Sequence, residues 1–209
     1  MPSAAVRGVC LIGRLSRFVE PEIGRLARSL HGLGLKPTHV TLMSFCCSLA
    51  AALSFVLVAE HSLKGIYAGI LLLLSGLFDA TDGAMARLYS EESSFGAFLD
   101  SVLDRVSEIV VYWGLIYSRL VDWSLGLAAL SASLMVSYAR ARGEQLGAEM
   151  KGVGIAERPE RLLILTVAAF LDQLTAGILL ITLLSVITVL QRVRNAKSRM
   201  ACARYHAKG

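Results

Sequence analysis

The sequence predicts an all-α integral membrane protein, with six transmembrane helices preceded by an N-terminal amphipathic interfacial helix. Three observations carry this. Hydrophobic residues make up 55% of the 209 and mean hydropathy is +0.61, well above a soluble domain of that length. Several uncharged stretches approach the roughly 20 residues that cross a bilayer, where backbone groups must be satisfied within helices. Six spans also leave only Lys64 and Arg119, of 21 Lys and Arg, in outward-facing turns, as the positive-inside rule requires.

In chain order, residues 14–31 form the amphipathic helix. Pro21 suits a first helical position, and Ile23, Leu26, Ala27 and Leu30 fall on one face with Arg25 and Arg28 opposite. The first span starts at Lys36-Pro37-Thr38, with Thr38 as cap, and Val40–Ala59 is uncharged. A polar turn at 60–64 leads to the second span, Gly65–Arg87. After a break at 89–94, where Ser93 or Ser94 is placed to cap, the third runs from Phe95 to Ser118. Trp123, placed for an interface belt, begins the fourth, which ends at Ala139; a charged segment covers Arg140–Arg161. Leu162–Leu190 is too long for one crossing and is broken at Asp172-Gln173. A hairpin there keeps Arg192, Arg194, Lys197, Arg199 and Arg204 on the cytoplasmic side. The expected organisation is an N-terminal segment with its juxtamembrane helix (1–35), a six-helix domain (36–195) and a basic cytoplasmic tail (196–209). Localisation is the cell membrane, multi-pass, with both termini and the site cytoplasmic. The N-terminus carries no signal-peptide pattern. Cys10, Cys46, Cys47 and Cys202 show neither pairing nor metal spacing and read as apolar fillers or free thiols.

Chemistry concentrates between Asp79 and Asp104. Asp79 and Asp82 are at i,i+3 and Asp100 and Asp104 at i,i+4, so each pair shares a helical face. If two antiparallel helices meet near Glu91, Asp82 and Asp100 each lie nine residues away, and Asp79 and Asp104 twelve and thirteen. All four then converge, roughly 13–20 Å from the turn, in one site built from two helices. Carboxylates at membrane depth need partners, and Arg87 and Arg105 cannot neutralise four. Two divalent cations can, and ligation by carboxylates without His or Cys points to Mg2+ or Mn2+. Such ions bind phosphate oxygens and stabilise displacement at phosphorus. Gly83 and Gly96 suit close approach of a ligand, and Ala86 leaves room for a flat base; Gly and Ala also serve helix packing. The rival is an ion or proton transporter, against which the acids cluster near one membrane face and leave no polar path across the outer halves of spans two and three.

Asp-x-x-Asp-Gly-x-x-Ala-Arg-x8-Gly-x3-Asp-x3-Asp, complete from Asp79 to Asp104, resembles the signature of the CDP-alcohol phosphatidyltransferase family. The resemblance implies transfer of a phosphatidyl-type group from a CDP-linked lipid donor to an alcohol, releasing CMP. It gives the metals to Asp79, Asp82 and Asp100, with Asp104 close to the second ion and acting as general base. Asp79, Asp82, Gly83, Ala86, Arg87 and Gly96 would frame the cytidine diphosphate, with Thr38 and Thr81 contributing. Tyr138-Ala139-Arg140-Ala141-Arg142 and Ala156-Glu157-Arg158-Pro159-Glu160-Arg161-Leu162 resemble the family's phosphatidylinositol-phosphate and archaetidylinositol-phosphate synthase branch. There Arg140, where members often have Lys, Arg158 and Arg192 would hold the acceptor's phosphate. The leading acceptor is therefore a small phosphorylated alcohol, inositol phosphate, with glycerol 3-phosphate and then serine as alternatives. A homodimer among membrane lipids is implied, and no nucleic-acid partner.

Overall fold

The computed structural model describes residues 12–150 and 152–206, and every regular element among them is a helix. The order is α1 (Ile12–Gly32), α2 (Pro37–Leu57), α3 (His61–Tyr89), α4 (Ser94–Tyr117), α5 (Trp123–Gln145), α6 (Arg158–Phe170) and α7 (Leu174–His206).

Punctuation residues explain most boundaries. Lys36 is held extended by the following proline, φ −91° and ψ 158°, and Pro37 opens α2. Thr38, expected as the cap, is therefore already inside the helix. Ser90 ends α3 in the left-handed region, φ 54°, and Ser93 caps α4 by accepting from the Gly96 amide at 3.0 Å. Asp122 caps α5 through the Ser124 amide at 2.9 Å. Asp172, at φ 55°, makes the expected break between α6 and α7.

Two expectations are corrected. Pro21 lies inside α1 rather than at its start; a proline costs one backbone bond and bends the helix, but residues on both sides stay helical. The fourth helix continues to Gln145 instead of ending at Ala139. Apart from Gly143 its charged extension is made of good helix formers, braced by Arg140 Nε–Glu144 Oε1 at 3.1 Å and Arg142 Nη1–Gln145 Oε1 at 2.6 Å.

Packing decides where the site falls. α2 packs along both α3 and α4, α6 packs on α3 and α7, and α5 packs on α7, whereas α3 and α4 touch each other only weakly. Close approach depends on absent side chains. A Cβ at Gly114 of α4 would lie 2.8 Å from the Ala52 carbonyl oxygen of α2, and one at Gly65 of α3 only 2.3 Å from that of Ala169. Buried hydroxyls tie α2 to α3: Ser48 Oγ–Ser75 Oγ is 2.7 Å, and Ser44 Oγ donates to the Ser75 carbonyl at 2.9 Å. Phe55, Leu72, Leu115, Ile178 and Ile181 fill the core. The apolar stripe of α1 is partly covered, since Ala27 is fully buried and Leu30 packs against the same cluster of Val40, Met85 and Phe78. Among the described residues, three helices are long and apolar enough to cross a membrane: Pro37–Leu57, Leu63–Tyr89 and Leu174–Met200.

Candidate active site

The weak α3–α4 contact leaves a gap that carboxylates line. Oxygens of Asp79, Asp82 and Asp100 lie within 4.8 Å of one another. Asp82 Oδ2 and Asp100 Oδ1 are buried with no hydrogen-bond partner among the described residues. Burying an unpartnered carboxylate oxygen beside like charges is costly, so this all-oxygen trio fits a hard divalent cation by its chemistry.

Asp104 stands apart from the trio. Its Oδ1 is 2.9 Å from Arg158 Nη1, and its Oδ2 is 3.4 Å from Arg105 Nη1. The same Arg158 nitrogen is 2.6 Å from Asp79 Oδ1. The sequence-based account of charge compensation therefore needs correction: a third cation, delivered by α6, neutralises part of the cluster. The site is also assembled by four helices instead of two, with α2 and α6 flanking the α3–α4 gap.

Against the trio lies a cavity of about 540 Å³, in the size range of small-molecule sites. Thr38 of α2, Asp82, Gly83, Ala86 and Arg87 of α3, and Gly96 and Asp100 of α4 line it. The Arg87 guanidinium overlies Gly83, where an added Cβ would sit 3.3 Å from Nη1. Asp79 and Thr81 are not part of this wall. Thr81 is fully buried and donates to the Leu77 carbonyl at 2.7 Å. Lys36, Thr41 and the 91–93 turn complete the lining and were missed from sequence. Thr41 follows Thr38 by three residues, a helical spacing that already places them on one face.

The three arginines expected at the acceptor phosphate do not meet at a point. Arg158 turns to the carboxylates. Arg140 and Arg192 share Glu157, with Arg140 Nη1–Oε2 at 3.8 Å and Arg192 Nη2–Oε1 at 2.9 Å. Arg192 is only 2% exposed, and its other nitrogens donate to the Val136 carbonyl at 2.6 Å and the Val153 carbonyl at 2.8 Å. One layer deeper, Arg161 pairs with Glu108 through Nε at 3.1 Å and donates to the Ala156 carbonyl at 2.9 Å. This buried pair was also missed, although Asp100, Asp104 and Glu108 recur every fourth residue on α4, and Arg158 and Arg161 share a face of α6.

An all-helical chain with membrane-length apolar helices and a hard-cation carboxylate trio on a nucleotide-sized cavity defines a membrane enzyme of phosphoryl-group chemistry. Residues 35–193 match the family CDP-alcohol phosphatidyltransferase. An archaetidylinositol phosphate synthase of Pyrococcus horikoshii is 36% identical over 190 residues, covering 91% of this chain and 98% of that protein. A crystal structure of Mycobacterium tuberculosis phosphatidylinositol phosphate synthase with CDP-DAG bound is similar with TM-score 0.69 and 33% identity, over 83% of this chain and 92% of that one. A second structure of that enzyme, in complex with manganese and citrate, has TM-score 0.69 and 32% identity, over 83% and 88%. The chain belongs to the CDP-alcohol phosphatidyltransferase family.

Proposed function

We propose that this enzyme transfers a phosphatidyl-type group, diacylglycerol phosphate or archaeol phosphate, from a CDP-linked lipid to a hydroxyl of inositol phosphate, releasing CMP. The observation that carries the reading is the trio Asp79, Asp82 and Asp100 set against the cavity walled by Gly83, Ala86, Arg87 and Gly96. Likeness to enzymes named for inositol-phosphate products supports the acceptor.

Asp79, Asp82 and Asp100, with Asp104 at the second position, would hold two Mg2+ or Mn2+ ions. When bound, these supply the positive charge that offsets a pyrophosphate and its departing nucleotide. Manganese in the mycobacterial relative supports that assignment. Gly83 and Gly96 let the nucleotide diphosphate approach the backbone, Arg87 meets its charge, and Thr38 borders it. Thr81, behind Asp82, acts by fixing the helix. Asp104 accepts the proton of the acceptor hydroxyl as its oxygen bonds to the lipid-side phosphorus and the bond from that phosphorus to the CMP oxygen breaks. Arg105 and Arg158 keep Asp104 aimed. Arg140 and Arg192 hold the acceptor's phosphate, with Arg158 between that phosphate and the carboxylates.

The reading extends to the whole chain. Residues 36–195 form six crossings, α1 rides the interface, residues 196–209 form a basic tail, and both termini and the cavity face the cytoplasm of a cell membrane. The enzyme works as a homodimer. Uneven placement of Lys and Arg supports the orientation.

The test is lipid transfer by purified protein from a radiolabelled CDP-lipid, with inositol phosphate, glycerol 3-phosphate or serine as acceptor. The expected result is a labelled inositol-phosphate lipid and CMP, abolished by chelator and restored by Mg2+ or Mn2+. Turnover indifferent to chelator overturns the site, and exclusive use of glycerol 3-phosphate or serine overturns the acceptor.

A further inference from the structure

We propose that Glu157 is a built-in occupant of the acceptor-phosphate position, and that its displacement sets how strongly the enzyme selects a phosphorylated acceptor. This rests on the reading of Arg140 and Arg192 as the phosphate holders. Each carboxylate oxygen of Glu157 faces a different guanidinium, Oε1 toward Arg192 at 2.9 Å and Oε2 toward Arg140 at 3.8 Å. A phosphate monoester offers the same two-oxygen bridge with more negative charge.

The three residues differ in how firmly they are held. Arg192 is fixed: it is buried, and its Nη1 and Nε donate to the Val136 and Val153 carbonyls. Glu157 is held loosely. It precedes α6, makes no capping bond with its side chain, and that side chain is 25% exposed. Arg140 already has a second partner in Glu144, so it stays compensated when Glu157 leaves. Rotating the Glu157 side chain away therefore breaks its two ion pairs.

Position ties this carboxylate to the chemistry. The next residue, Arg158, grips Asp79 and Asp104, and neighbouring Cα atoms are only about 3.8 Å apart. A phosphate seated where the Glu157 carboxylate lies is thus one residue along the chain from the arginine that holds Asp104. Only an acceptor bearing an anion at least as strong can take the two arginines from Glu157. A neutral polyol gains nothing there, because the arginines remain satisfied without it. Glu157 thus lowers affinity for the true acceptor while excluding its unphosphorylated counterpart.

The experiment compares Glu157→Gln, Glu157→Asp and Arg140→Ala in the transfer assay. Gln removes the competing charge, and Asp is too short to bridge both guanidinia. Both are expected to lower KM for inositol phosphate by about fivefold, the weight of a partly exposed ion pair, leaving KM for the CDP-lipid unchanged. Arg140→Ala is expected to raise the acceptor KM. If Arg140→Ala raises it while the Glu157 variants leave it unchanged or raise it too, Glu157 is only a brace and the inference fails alone. If Arg140→Ala leaves the acceptor KM unchanged, the phosphate position itself has been misassigned and both readings fall. Should Glu157→Gln not fold, Glu157→Asp, which keeps the charge and the class of side chain, decides the matter by the same measurement.

Discussion

At the residue scale, the four aspartates divide by the charges that face them. Asp79, Asp82 and Asp100 bring their oxygens together, Asp104 lies outside that group against Arg158 and Arg105, and Asp79 shares Arg158 with it. Two cations hold the Asp104 carboxylate ionised and aimed, and carboxylates set together are suited to a metal. Asn in place of Asp104 keeps the size and can still accept from Arg158, but cannot take up a proton. Asp104→Asn is therefore expected to keep CDP-lipid binding while turnover falls by about 10²–10⁴-fold, the usual weight of general-base catalysis. The check is kcat for transfer beside the Kd for the CDP-lipid; turnover within tenfold of the parent enzyme removes the base assignment. The i,i+3 and i,i+4 spacings made the four acids readable in advance. Their division was not readable, because it depends on an arginine from α6 that is 54 positions beyond Asp104. Thr81 shows the opposite case. It sits about 100° around the helix from Asp82, so the wheel already turned it off the carboxylate face toward Leu77.

Among the elements, α2 makes the site possible by packing on both α3 and α4, which hold apart from each other. Its α4 contact is tight at Gly114, where an added Cβ would meet both the Ala52 carbonyl oxygen at 2.8 Å and the Ala52 Cα at 3.1 Å. Backbone atoms cannot rotate away as a side chain can. Gly114→Val must then push the helices apart, costing about 1–3 kcal/mol as overpacked cores do. Because α2 carries Thr38 and α4 carries Asp100, the same displacement widens the cavity they share. The expected outcome is a lower melting temperature in detergent together with a raised KM for the CDP-lipid. An unchanged melt would show that this contact does not set the α2–α4 spacing. Turn chemistry announced the breaks at Ser90–Ser93 and Asp172, and both are observed. The length of α5 was misjudged because charge in residues 140–145 resembles a loop, while Ala, Arg, Glu and Gln are strong helix formers. The α3–α4 gap was invisible, since weak pairing between sequence neighbours depends on what a third helix does.

For the whole molecule, the decisive pattern is that charge gathers at one end of the helices. α4 carries Asp100, Asp104, Arg105 and Glu108 near its start, α5 carries Arg140 and Arg142 near its finish, and α6 opens with Arg158, Glu160 and Arg161. Charged ends keep α4 and α5 from reading as membrane spans, α6 is short at 13 residues, and the remaining stretches, 109–117, 123–139 and 162–170, are apolar. The charged ends of α4 and α6 meet at the carboxylate site, and the α5 end joins them through Arg140 and Glu157. A polar end and an apolar body describe helices whose site end lies at a membrane surface, and in the proposed orientation, which the excess of Lys and Arg there supports, that surface is the cytoplasmic one. Lys64 and Arg119, in the opposite turns, should then be external. Single cysteines test this in a background where the native cysteines are serine. In intact cells, an impermeant maleimide is expected to label Lys64→Cys and Arg119→Cys. Glu92→Cys, at the cavity rim, should label only after permeabilisation. Labelling of Glu92→Cys in intact cells would invert the molecule, place the nucleotide cavity where no CDP-lipid is made, and remove the membrane argument for the proposed reaction.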